Sequence, residues 1–157
     1  MHLNIINKKG MITMKSKLSR RQAREQAFLL AFERNFKIET VQELIEIAVE
    51  SRDFEVDDFV IELLETIEAN EEAINAMIAE NSNGRQLRRI SKVALSVLQL
   101  AISELKFTDI SKTNAENPVS VIINEAILLA KKYSSPEEAS FINGVLGSIV
   151  RQSNENE

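Results

Sequence analysis

Apolar residues recur along this chain every three or four positions, and the two-residue alternation of a half-buried strand is almost absent. The spacing predicts seven helices, over 19–35, 40–52, 56–68, 71–80, 86–107, 118–133 and from 135 onward. Phe59, Val60, Leu63, Leu64 and Ile67 form one face of the third. Ile74, Met77 and Ile78 do the same for the short fourth, and Phe141, Ile142, Val145, Leu146, Ile149 and Val150 for the seventh. The fifth is apolar nearly all round between Val93 and Ile102, as a central buried helix is.

Punctuation supports the periods. Thr40-Val-Gln-Glu43 reads as a capping box, and Asn83-Gly84 as a helix stop. Pro118 suits a first helical turn; Ser135, Pro136 and Glu138 form a cap, a first-turn proline and the far side of a box. With only four Gly and two Pro, and no internal repeat, the fold class is all-α. The loop 81–84 divides it into an N-terminal bundle, 17–83, and a C-terminal bundle, 84–152, with a short tail at 153–157. Residues 1–16 read as a disordered or flexible basic tail. "MKSKLSRRQARE" from Met14 resembles a natural start, so the thirteen residues before it are expected to be disordered or an artefact of start-site choice.

Composition removes several function classes. There is no cysteine, hence no disulfide framework or thiolate metal site, and a reducing cytosol fits. The only histidine is His2, in the tail, so an imidazole base or His-rich metal site has no candidate. No apolar run approaches the roughly 18 residues that span a bilayer. The expectation is a cytoplasmic chain without catalytic residues, metal or cofactor, and without a membrane partner.

Charge changes the picture more. The net charge is -5, yet the first 24 residues hold seven Lys or Arg and no acid. Such asymmetry describes either a solvated basic tail or an arm that meets a polyanion while an acidic body repels it. Lys17, Arg20, Arg21 and Arg24 stand at i, i+3, i+4 and i+7, within an arc of about 100° on a helix. Near a helix N-terminus the macrodipole is already positive, so local stability does not explain them. Phosphate does, because guanidinium forks and helix amides both attract it. Phe28 and Phe32 continue that face as core or partner contacts, with Ala23, Ala27 and Leu30 expected on the opposite, packing side. Arg85, Arg88, Arg89 and Lys92 repeat the spacing at the start of the central helix, as a solvated helix end or as part of a composite surface. No helix-turn-helix or zinc module is recognisable, which favours single-stranded RNA over duplex DNA.

Four ordered motifs resemble the NusB family of bacterial transcription antitermination factors. They are "RRQAREQAFLLAF" from Arg20, "RISKVALSVLQLAISEL" from Arg89, "NPVSVIINEAILLAKKY" from Asn117 and "FINGVLGSIV" from Phe141. The resemblance implies an all-helical fold of two small bundles packed on each other. It also implies binding of boxA RNA in ribosomal RNA transcripts together with the small-subunit ribosomal protein NusE. That complex joins the RNA polymerase antitermination assembly with other Nus factors. By position it implies that Arg20, Arg21 and Arg24 contact RNA, that Phe141 lies in a region approaching RNA, and that Phe32 faces the ribosomal protein where the family usually has Tyr. Lys17, Arg89 and Lys92 join the RNA-binding set through the two basic stripes, and Phe28 joins Phe32 as a partner contact. Phe32 lacks the Tyr hydroxyl, Ser103 replaces a usual aromatic, Gln99 a usual Arg, and Ala94 stands where some relatives carry an acid.

Asn124 and Asn143, within apolar helices, are expected to be buried and paired between helices, and Glu125 to be a structural ion-pair or capping partner. Gly144 is expected where another helix approaches closely. Two other readings remain. A related helical domain occurs in some ribosomal RNA cytosine methyltransferases, but the chain has neither a glycine-rich strand-turn-helix nor a Cys nucleophile. The second is a homodimeric interaction module whose basic stripe pairs with the acids between Glu33 and Glu80.

Overall fold

A computed structural model of the chain describes residues 4–6, 12–14, 18–52, 56–113 and 115–155. Among them are seven α-helices: α1 (Arg20–Arg34), α2 (Val41–Arg52), α3 (Asp58–Ala69), α4 (Glu71–Glu80), α5 (Lys92–Lys106), α6 (Pro118–Tyr133) and α7 (Pro136–Glu155). The all-α expectation holds for the body. One difference lies in the leading segment. There β1 (Asn4–Ile6) and β2 (Ile12–Met14) pair antiparallel, with Ile5 opposite Thr13. β-branched residues favour that extended backbone, and a tail read as uncommitted contains four of them in these strands.

The chain forms two compact units, residues 1–68 and 69–157. The expected division fell after Asn83, whereas α4 groups with the helices that follow it. Gln99 on α5 donates to Asn75 of α4 at 3.0 Å, and Ser148 on α7 donates to Asn81, at the end of α4, at 2.6 Å. These polar ties, with Ile74 and Ile78 buried, hold α4 in the second unit.

In the first unit α1 starts at Ser19, whose Oγ accepts the Gln22 N–H while Gln22 Oε1 accepts the Ser19 N–H. The Thr40 and Glu43 box is present in the same reciprocal form, at 2.8 and 3.2 Å. Asp57 Oδ1 accepts the Phe59 N–H at 2.8 Å at the start of α3, and Glu68 near its end accepts the Val41 N–H at 2.8 Å, tying α2 to α3. Ala27, Phe28, Ile45, Leu63, Leu64 and Ile67 are among its fully buried side chains.

In the second unit α5 is the central rod, buried without a break from Ala94 to Glu104. It packs on α4, α6 and α7, and α6 packs on α7. The substitutions noted in the central motif are accommodated inside. Ser103 donates to the Leu100 carbonyl at 2.7 Å, Gln99 pairs with Asn75, and Ala94 is fully buried. Asn83 and Gly84 both take positive φ, 50° and 78°, which turns the chain after α4. α5 begins later than the predicted 86. Leu87–Arg89 is a 3₁₀ turn, Ile90 is extended, and Ser91 caps the helix by accepting the Ala94 N–H at 3.1 Å. The cap of α7 matches its prediction in the forward direction, Ser135 Oγ accepting the Glu138 N–H at 3.1 Å.

Candidate nucleic-acid interface

The N-terminal stripe is split by depth. Arg20 and Arg21 are exposed at the first turn of α1, whereas Arg24, one turn on, is only 5% exposed. Lys17 lies outside the described residues. The buried residues of α1 are Ala23, Arg24, Ala27, Phe28, Leu30 and Ala31. On a helical projection they span about 160°, centred on the direction of Arg20. The cationic arc therefore overlaps the packing face instead of opposing it, with Arg21 just beyond its edge. Cations occupy it where the helix overhangs the core, and apolar side chains where it enters.

Phe59 of α3 backs this end. The Arg20 guanidinium carbon stands 3.9 Å above its ring centroid, and that of Arg24 6.0 Å away. The ring holds Arg20 by its flat face and leaves the in-plane donors of the fork free to point elsewhere. Nothing in the local pattern announced Phe59 in this role. Its contact with Arg20 joins positions 39 apart in the chain.

Farther along α1 the two expected partner residues separate. Phe28 is 1% exposed and belongs to the core, which corrects its assignment to a docking surface. Its position on the buried arc, beside Ala27 and Ala31, is the reason. Phe32 is half-buried, stacked on Phe28 at 6.0 Å and edge-on to Phe36 at 5.0 Å. Phe36 is 63% exposed, with Leu29 also exposed on the outer side of α1. The ladder Phe28, Phe32, Phe36 thus leads from the core to an apolar surface, and Phe36 was missed. The apolar i+4 series from Phe28 was its signal.

The second basic cluster is not a helical stripe. Arg85 follows the turn, Arg88 and Arg89 sit in the 3₁₀ turn, and Lys92 is the first residue of α5. All four are exposed. The Ser91 cap breaks the helix that the i, i+3, i+4, i+7 spacing presumed. Arg88 Nε donates to Gln86 at 2.7 Å, while Arg85 lies over the Phe141 ring at 4.1 Å. The structure therefore brings Arg85, rather than Arg89 or Lys92, onto the predicted aromatic.

Phe141 borders a cavity of about 710 Å³ between α7 and the end of α4. Its lining includes Asn81 and Asn83 from the turn after α4, and Gly144, Ser148, Arg151 and Gln152 from α7. Contrary to expectation, a Cβ on Gly144 would meet nothing within 4 Å among the described residues. Asn124 and Asn143 are likewise exposed rather than buried, because Ile122 and Ile142 take the inward positions of those motifs. Glycine inside a helix costs about 1 kcal/mol relative to alanine. Gly144→Ala should accordingly raise unfolding stability by about 0.5–1 kcal/mol in a urea titration, since the added methyl enters open space.

Among the described residues no helix is long and apolar enough to cross a membrane. Comparison with known families matches residues 21–151 to the NusB family. A transcription antitermination protein NusB from Acetivibrio thermocellus is 37% identical over 136 residues, which cover 85% of this chain and 90% of that protein. NusB from T. maritima has a similar solved structure, with TM-score 0.69, 30% identity, and coverage of 87% of this chain and 93% of that one. A structure of antitermination factors NusB and NusE in complex with dsRNA is similar at TM-score 0.70 and 26% identity, covering 85% and 96%.

Proposed function

Because the chain belongs to the NusB family, we propose that it is a non-enzymatic transcription antitermination factor that binds boxA RNA together with the ribosomal protein NusE. In this reading the complex joins the elongating RNA polymerase with other Nus factors in the cytoplasm. The observation that carries it is the exposed pair Arg20 and Arg21 at the start of α1, with Arg20 held flat on Phe59. Two adjacent guanidinium forks beside the amide-rich end of a helix suit a phosphate backbone. Arg89 and Lys92, both exposed, serve as further phosphate contacts. Phe141, with Arg85 over its ring, supplies an aromatic face in the same unit. Phe32 and Phe36 form the surface for NusE, by apolar contact in place of the Tyr hydroxyl bond.

A titration of boxA RNA at several salt concentrations, with and without NusE, tests this reading. Affinity should fall with salt, with a log-log slope of about 0.7 per phosphate contacted, and NusE should tighten binding. Salt-independent binding, or equal affinity for an RNA with boxA scrambled, would count against it. Light scattering distinguishes the homodimeric alternative. A stable dimer that takes up no RNA would replace the present reading.

Phe59 gives a narrower prediction. Phe59→Ala should weaken RNA binding by about two- to fivefold, the scale of an exposed cation–π contact. Phe59→Tyr should restore it. Equal affinity for the alanine variant and wild type, in the same titration, would remove the ring from the site.

A further inference from the structure

Asn-Gly occurs twice in the chain, at 83–84 and at 143–144, and all four residues are exposed. In this dipeptide the glycine N–H stands next to the asparagine carboxamide, with no glycine side chain to obstruct it. The nucleophile and the electrophile of a five-membered ring closure are thus neighbours in sequence. Whether the ring can close depends on the backbone, and there the two sites differ.

Asn83 and Gly84 are the central residues of a turn closed by the Arg85 N–H, which donates to the Ser82 carbonyl at 3.0 Å. Their φ values of 50° and 78° make it a type I′ turn. Neither the Asn83 carboxamide nor the Gly84 N–H has a hydrogen-bond partner among the described residues. A Cβ on Gly84 would meet nothing within 4 Å, so the glycine is approachable. Rotating Asn83 to bring its Cγ onto the Gly84 nitrogen gives up one turn hydrogen bond. It also leaves a backbone conformation that non-glycine residues adopt rarely. Asn143-Gly144 lies in the middle of α7, where the helix holds the glycine N–H and the same rotation would break bonds on both sides. Asn81, beside the turn, is held by its side chain. Its Nδ2 donates to the Met77 carbonyl at 2.8 Å, and its Oδ1 accepts from Ser148 at 2.6 Å.

We infer that Asn83 is a site of spontaneous deamidation, selected over Asn143 by backbone conformation. The Gly84 nitrogen, losing its proton to solvent, bonds to Asn83 Cγ; the Cγ–Nδ2 bond breaks and ammonia leaves. Water then opens the cyclic imide at one carbonyl or the other, giving aspartate or isoaspartate with no change of oxidation state. Either product puts a carboxylate two residues from Arg85, in the segment that also carries Arg88 and Arg89. Isoaspartate further adds a methylene to the main chain of the turn. On the RNA-binding reading above, conversion lowers the affinity for RNA.

The test incubates the full folded chain in mildly alkaline buffer, with a second sample in urea, and follows both sites by peptide mass spectrometry and isoaspartate labelling. In urea both sites should convert, each with the mass change of NH exchanged for O. In the folded chain Asn83 should convert at least about tenfold faster than Asn143, which must wait for local opening of α7. Equal protection of the two sites in the folded chain overturns the inference. Asn83→Gly suits the turn and removes the reacting amide. Aged wild type should bind boxA RNA about two- to fivefold more weakly than fresh protein, the scale of one exposed charge pair, while aged Asn83→Gly keeps its fresh affinity. Conversion at Asn83 with unchanged affinity overturns its link to RNA. If fresh wild type binds no RNA, the function proposed above fails, and the mass measurement alone decides the deamidation site.

Discussion

The paired substitution Arg20→Ala and Arg21→Ala is expected to raise the Kd for boxA RNA by about ten- to a hundredfold, each charged hydrogen bond being worth about 1.5–3 kcal/mol and part of it recovered by water. The salt slope should fall by about 1.4, from two lost phosphate contacts on a single strand. Thermal unfolding should shift little, because both side chains are exposed and neither is part of the Ser19–Gln22 box. The choice of residues matters. Arg24 shares the sequence spacing of the pair, but it is 5% exposed, so its removal opens the core side of α1 and confounds binding with folding. Isothermal titration alongside a melting curve checks both parts. Unchanged affinity in the folded double variant would sink the assignment of α1 as the RNA-gripping element.

Leu98→Ala is expected to destabilise the second unit by about 3–5 kcal/mol, the range for deleting a fully buried leucine side chain. Leu98 is 0% exposed at the middle of α5, the helix on which α4, α6 and α7 all pack. A cavity there has little freedom to collapse, since neighbours on three sides are held by their own contacts. Leu128→Ala on α6 is the contrast. Leu128 is 39% exposed, so its loss should change stability by no more than about 0.5 kcal/mol. Urea unfolding followed by circular dichroism reads both. Equal effects of the two substitutions would show that α5 is not the organising rod.

Helix existence, the central position of α5 and most caps were legible because they depend on residues within one or two turns of each other. The box at Thr40, the serine cap at Ser135 and the stop at Asn83-Gly84 fall where local hydrogen bonding puts them. The Ser19–Gln22 box carried the same signal and could have been read. Periodicity failed where one local rule overrode another. Arg85 to Lys92 has helical spacing, but the serine cap at Ser91 starts the helix late and leaves three of those cations outside it. It failed also at Asn124 and Asn143, because spacing defines an apolar stripe without showing how wide a neighbour covers it.

The sequence by itself determined an all-helical chain, a basic leading end and the family motifs, since each rests on neighbouring residues or on plain charge. Only the tertiary structure decided which cations reach solvent, that Phe59 carries Arg20, that Phe28 is core while Phe36 is surface, and that Gly144 faces an open cavity. Those facts depend on which distant helix packs beside which, a nonlocal outcome that no spacing along one helix encodes.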